Sequence, residues 1–288
     1  MRFHMGQNAV IGRLIGTLVR AFLVVVLIAM PSLLLPGVNS DAAQIVALVA
    51  IFAAALTIIE YASTYPGLVE FRDAPPFNRI RFLSLFVTVL LLTLITRGTY
   101  APDPTTHFVE ATGALIGQVI DFPYSPVRLV VLMLPEDAGI EHITLVRSAA
   151  GISYLVSLLT LAIFLIVLRL KVWPNRTGSF NVWVNLPTFD PTAGGDVVER
   201  LERDARVNIA LGFLLPFLIP AVIKAASSLF GSVSLENPQT LIWTVTAWAF
   251  LPASLFMRGI AMGRIAMMIE DKRRESLSAD GDGELVVA

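Results

Sequence analysis

Residues 42–62 read AAQIVALVAIFAAALTIIEYA. Nothing in that run is charged before Glu60. In a helix, at about 1.5 Å per residue, it spans about 32 Å, enough to cross the ~30 Å hydrocarbon core of a bilayer. A surface helix of a soluble protein would show a polar stripe every three or four positions. Here only Gln44 and Thr57 interrupt the apolar run ahead of Glu60. The segment therefore reads as a transmembrane helix.

Five further stretches have the same character, at about residues 14–35, 80–96, 149–170, 207–230 and 240–262, of which 80–96 is short for a span. The composition agrees. Of the 288 residues 56% are hydrophobic and 15% charged, where a soluble domain carries about 25% charged residues. The expected fold is an all-α integral membrane protein, a bundle of about six transmembrane helices. Residues 1–275 form one polytopic domain, and the polar residues 276–288 form a disordered tail. The first span opens on Arg2 and Arg13, as a signal peptide does. Its apolar block is long, Pro31 and Pro36 interrupt its end, and no small-x-small cleavage site precedes Asp41. It is expected to be retained.

Basic residues orient the bundle, because loops rich in Arg and Lys stay in the cytoplasm. Arg2, Arg13, Arg20, Arg72, Arg79, Arg81, Arg169, Lys171, Arg176, Arg200, Arg203, Arg206, Arg264, Lys272, Arg273 and Arg274 fall on one side, and Arg258 inclines toward it. Arg97, Arg128, Arg147 and Lys224 fall on the other. The expected topology has both termini in the cytoplasm. Only three of the 21 basic residues are lysine, a bias that a GC-rich bacterial genome produces. The expected location is thus a bacterial inner membrane. No polybasic run points to nucleic acid.

Two loops are long enough to fold. In the external loop, 98–147, residues 107–122 read as an amphipathic helix. Residues 127–134 are apolar, lie between Pro126 and Pro135, and are too short to span. They either lie on the bundle surface, the primary expectation, or re-enter it beside a cavity. In the cytoplasmic loop, 171–206, Phe180, Val182, Val184 and Leu186 alternate with Asn181, Trp183 and Asn185, the period of a strand. Asp196 then reads as the N-cap of a helix that runs into the fifth span. Glu199/Arg203 and Glu202/Arg206 are spaced as i,i+4 pairs on that helix.

Charges at membrane depth are costly and so point to function. Glu60, Arg20, Lys224 and Arg258 are the candidates. Arg20, Arg258 and Lys224 could instead snorkel to the headgroups, and Glu60 could pair with Arg20 or Arg81. Pro216 and Pro220 stand on one face of the fifth span and Pro252 lies in the sixth. All three are candidate hinge residues, because an interior proline removes a backbone hydrogen bond. Ala43, Ala47, Ala50 and Ala54, with the pairs Gly12/Gly16 and Gly259/Gly263, are small-residue faces that allow close helix approach.

The chain has no cysteine, which removes thiol catalysis, disulfides and iron–sulfur ligation. His4, His107 and His142 all lie outside the spans, so no bis-histidine haem site exists in the membrane. His107 and His142 match no metal-ligand spacing, and no catalytic, P-loop or dinucleotide motif occurs. No catalytic, cofactor or metal residue is therefore nominated. Two readings lead, with a lipid-modifying enzyme third. The first is a non-catalytic accessory or assembly component of a bacterial membrane complex. It would contact lipid, and a protein partner through loop 178–206 or the small-residue helix faces. The second is a small-solute or ion transporter or channel built on the kinked fifth and sixth spans.

Overall fold

The computed structural model describes residues 2–170, 173, 181–190, 192, 194–230 and 235–284. The described residues are helical, with no strand among them. In order they are α1 (Arg2–Leu34), α2 (Ser40–Ala62), α3 (Phe77–Gly98), α4 (Pro104–Ile120), α5 (Pro126–Leu132), α6 (Ile140–Arg169), α7 (Val182–Asn185), α8 (Val197–Phe230) and α9 (Pro238–Glu284). Six of these (α1, α2, α3, α6, α8 and α9) are long and apolar enough to cross a membrane, the signature of a multi-pass protein. The even number of crossings brings both termini to the same end of the bundle, here called the basic end.

The short third span lengthens to 22 residues. The added residues are Phe77, Asn78 and Arg79 at its start and Arg97 and Gly98 at its end, beyond the apolar run. Inside it Thr88, Thr93 and Thr96 turn their hydroxyls onto the carbonyls of Ser84, Val89 and Leu92 at 2.6–2.8 Å. A hydroxyl satisfied by its own helix can be buried. α3 packs on α1, α4, α6 and α9, with Val89, Leu92 and Ile95 sealed from the surface. α6 begins at Ile140, ahead of the expected residue 149, because its first turns carry Glu141, His142 and Arg147 beyond the apolar run.

At the end opposite the basic one, α4 starts on a capping box between Asp103 and Thr106. α5 is capped by the Ser125 hydroxyl. It packs on α6 and α8 with Val127 and Val130 fully buried, and so covers the bundle rather than lying loosely on it. Asp121 lies 2.8 Å from both Arg128 and Arg147, tying the end of α4 to α5 and α6. The angles make these ion contacts rather than aligned hydrogen bonds.

The expected strand is corrected. Residues 182–185 form one helical turn, in which the Asn185 and Leu186 amides bond to the Asn181 and Val182 carbonyls at 3.1 and 2.8 Å. On a helix Val182 and Val184 stand about 200° apart, so strict alternation does not carry over to this turn. The i→i+4 backbone bonds set the turn, and Leu186 just beyond it is fully buried. Phe180 lies outside the described residues. α8 runs unbroken from Val197 into the span behind the Asp196 N-cap, as expected. Arg203 lies 3.8 Å from Asp204 rather than pairing with Glu199. α9 continues to Glu284, so the segment expected to be disordered from Ser276 is helical to that point. Residues 285–288 lie outside the described set.

Two apolar cores stack along the bundle. One, toward α4 and α5, joins α1, α3, α5, α6 and α9 around Leu92, Ile95, Val146 and Ile242. The other, at the basic end, gathers Phe71, Phe77, Phe164, Trp173, Leu186 and Leu201 with Met257 and Ile265 of α9. Close helix approach depends on glycines that differ from most of those expected. A Cβ on Gly151 would stand 2.6 Å from the Gly117 Cα, where α6 crosses α4. One on Gly212 would stand 2.7 Å from the Pro252 carbonyl, and one on Gly259 2.7 Å from the Ala205 carbonyl, where α8 crosses α9. Gly12 meets nothing within 4 Å, and Gly263 only an ordinary contact at 3.8 Å. Gly151→Val should therefore destabilise by about 1–3 kcal/mol, as overpacking does. Gly12→Val should leave the melting temperature in detergent unchanged. Equal melting of the two variants would contradict this packing.

Candidate functional site

The loop between α2 and α3, residues 63–76, is held by reciprocal polar anchors. Three amides in succession, of Gly67, Leu68 and Val69, donate to the Glu60 carboxylate at 2.9–3.1 Å. In return the Arg72 guanidinium donates to the carbonyls of Glu60, Ser63 and Thr64 at 2.6–3.4 Å. A helix C-terminus exposes unpaired carbonyls and partial negative charge, and an arginine satisfies both. Glu60 thus fixes the loop and Arg72 caps α2.

Beyond Arg72 the chain turns inward. Phe71 adopts a φ of 53° and is fully buried. That left-handed conformation costs about 1–2 kcal/mol for a residue with a side chain. Burial of the ring offsets the cost. It packs on Phe77 and Trp173 at centroid distances of 4.4 and 5.7 Å. The Phe71 amide donates to the Asn185 carbonyl at 2.7 Å, and the Asp73 amide to the Asn185 side-chain oxygen at 3.0 Å. The Trp173 indole donates to the Ala74 carbonyl at 2.8 Å. The turn of α7 exists to present Asn185 to this loop.

Glu70 binds Arg258 of α9 in the two-point geometry that a guanidinium offers a carboxylate, at 2.7 and 2.9 Å. The Thr188 hydroxyl donates to the same carboxylate at 2.8 Å, and the Asn78 amide holds the Glu70 carbonyl at 2.7 Å. Arg258 and Glu70 keep only 24% and 12% of their side chains exposed. The cluster locks loop 63–76, residues 185–189 and α9 together beneath the bundle.

The structure brings three of the four nominated charges to this end. Arg258 takes Glu70 as its partner. Glu60 serves backbone amides and pairs with neither Arg20 nor Arg81. Arg20 lies over the Tyr61 ring at 4.6 Å, and Arg81 over the Phe77 ring at 5.4 Å. Sequence reasoning missed Glu70 and Arg72. The signal was the density of charge and proline in residues 70–79, a string with no known motif. Every carboxylate in the cluster is engaged by donors, which suits a structural lock.

Lys224 stands apart, in the far half of α8, and makes no ion pair among the described residues. The nominated prolines meet at one helix crossing. Pro220 lacks an N–H, which leaves the Pro216 carbonyl without its helical donor. The buried Trp248 indole supplies one at 3.0 Å. Near Pro252 the Ser157 hydroxyl donates to the Ala249 carbonyl at 3.0 Å. Beside Pro220 a cleft of about 430 Å³ opens between α5, α8 and α9, lined by Val130, Met133, Ile219, Ile223, Trp243 and Trp248 among others. The cleft carries one hydroxyl, Thr244, and no charged side chain.

At the far end His142, Asp137, Glu141 and Glu236 border a hollow of about 340 Å³ that His107 does not reach. The described residues contain no group of three or more acidic, histidine or cysteine side chains placed to hold a metal. No protein-family model, curated protein or solved structure matches this chain.

Two outcomes follow from these contacts. Glu70→Gln or Arg258→Gln should each destabilise by about 1–3 kcal/mol, between surface and fully buried pairs. The double variant should lose less than the sum, read by thermal unfolding in detergent; strict additivity would deny the coupling. Outside the spans, Arg273 binds the Asp196 carboxylate at 2.7 Å. That bond, with the Val198 amide, holds the carboxyl below its ordinary range. A lowered folded pKa means that the contribution is full above the unfolded value of about 3.9 and is lost as pH falls through the folded one. Spin labels at positions 199 and 276, placed in a chain without cysteine, should report a fixed distance at pH 7. The distribution should broaden only below about pH 4. Asp196→Asn should broaden it throughout.

Proposed function

We propose that this chain is a non-catalytic, multi-pass component of a bacterial inner-membrane complex, with both termini in the cytoplasm and an assembly or accessory role. One observation carries the reading. Among the helices α2 packs on α1 alone, and within its span only Ala50 is buried. Ala43 and Ala47 remain exposed on the same small-residue face. Small residues promote helix association in lipid, where the hydrophobic effect gives no drive and close packing supplies it. A helix so lightly held within its own chain is suited to contact another membrane helix.

The cytoplasmic loop lends less support than its sequence promised. Leu186 and Phe189 turn into the basic-end core, so residues 181–190 present no open strand edge for a partner. Residues 178–180 lie outside the described set. The transporter reading is also weakened. The cleft beside the hinge prolines offers a polar solute one hydroxyl, and Glu60 and Arg258 are committed to the lock described above.

Affinity purification from native membranes in mild detergent tests the proposal. The wild type should carry a stoichiometric membrane partner. Ala43→Phe with Ala47→Phe should shed it while the melting temperature holds, since both positions are exposed. A chain that purifies alone would overturn the reading. Orientation has its own check: a reporter fused after Ala193 should be active in the cytoplasm, and one fused near Asp103 outside it.

A further inference from the structure

We infer that the cleft between α5, α8 and α9 is a binding site for one acyl chain of an anionic phospholipid, with Lys224 as the contact for its phosphate. The cleft volume, about 430 Å³, lies in the range of small-molecule sites. Its walls are pre-formed. Trp248 is fixed by the bond from its indole to the Pro216 carbonyl at 3.0 Å, and Val130 and Met133 of the α5 segment are buried in place. Ala247 and Leu251 are exposed at the mouth, which opens sideways between two spans. In water such an apolar void would stand dry. Within a bilayer the mouth meets hydrocarbon, and an unfilled wall forfeits its dispersion contacts. An acyl chain is the occupant that these surroundings supply.

Charge selects the lipid. Lys224 follows Pro220 by four residues, so it stands one turn farther along the face that lines the cleft. Helical side chains incline toward the N-terminus of their helix, which for Lys224 is the direction of the cleft. It lies six residues, about 9 Å of helix, inside the end of α8 at Phe230. An ammonium at that depth requires an anionic partner or access to water. Among the described residues it has no carboxylate partner. A phosphate drawn down over the cleft meets that requirement, whereas a zwitterionic headgroup would bring its own cation to the same place.

Native mass spectrometry of the full chain, released from detergent doped with phosphatidylglycerol or phosphatidylcholine, tests the site. The wild type should retain one phosphatidylglycerol per chain at several-fold higher occupancy than phosphatidylcholine. Ala247→Phe, which fills the mouth from an exposed position, should cut retention at least fivefold. Lys224→Gln should bring the two lipids to equal occupancy. Brominated forms of both lipids give a second reading on the wild type, independent of whether Ala247→Phe folds. Tryptophan quenching should half-saturate at several-fold less phosphatidylglycerol than phosphatidylcholine, and Lys224→Gln should erase that difference. Equal retention of the two lipids by the wild type, equal quenching by them, or unchanged retention in a folded Ala247→Phe protein would overturn the assignment. Each readout is independent of whether a protein partner binds α2.

Discussion

A polar group left unpaired in hydrocarbon has no water to turn to, and most of the polar side-chain geometry inside this bundle follows from that. The clearest case is the carbonyl of Pro216. Pro220 takes away the amide that would have met it, and the indole of Trp248 crosses from α9 to replace that donor. The substitution does three things together. It lets a proline pair persist inside a long helix, fixes α8 against α9, and sets one wall of the cleft. Smaller versions recur. Three buried threonines of α3 bond to their own helix, Thr160 reaches Ser84 at 2.8 Å, and Ser157 attends the turn near Pro252.

At the basic end the same rule applies to full charges. Arg72 and Glu60 exchange backbone partners across the α2–α3 connection, and Glu70 and Arg258 join that connection to α9. The buried aromatic rings between them hold Phe71 in a backbone conformation it would otherwise avoid. The two halves of the molecule therefore differ in kind. The basic end is a cross-linked plug of loop and helix. The far half contains a cleft with preformed apolar walls and, in Lys224, a lysine with no ion-pair partner among the described residues. Rigidity at one end and an apolar recess at the other suit a protein that holds a fixed shape in the membrane.

The candidate site was only partly legible in the residues. Glu60, Arg20 and Arg258 stood out because a charge inside an apolar run is conspicuous, but their partners did not. Glu70 is 188 residues from Arg258 and Asn185 is 112 from Asp73, and no local pattern encodes such pairings. The glycine pairs misled for a related reason. Spacing alone favours Gly12/Gly16 as much as Gly259 or the equally spaced pair Gly113/Gly117 on α4, yet only a neighbouring backbone makes the missing Cβ matter, and Gly151 and Gly212 carry no such spacing. Residues 180–186 alternate as a strand does, but the turn at 182–185 is set by its own i→i+4 bonds and by the contacts of Asn185 with the distant 63–76 loop.

The sequence by itself determined the number of long apolar helices, their apolar cores but not the starts of α1 and α6 or the end of α9, the entry of α8 behind Asp196 and the concentration of arginine at one end. These follow from local quantities: length against bilayer thickness, capping chemistry and charge per segment. Tertiary structure alone decided that α3 packs on four other helices and α2 on one, that the 63–76 loop is a plug rather than a linker, and that Trp248 completes α8. Each of those outcomes depends on what a distant segment offers to an unpaired donor, acceptor or unfilled surface.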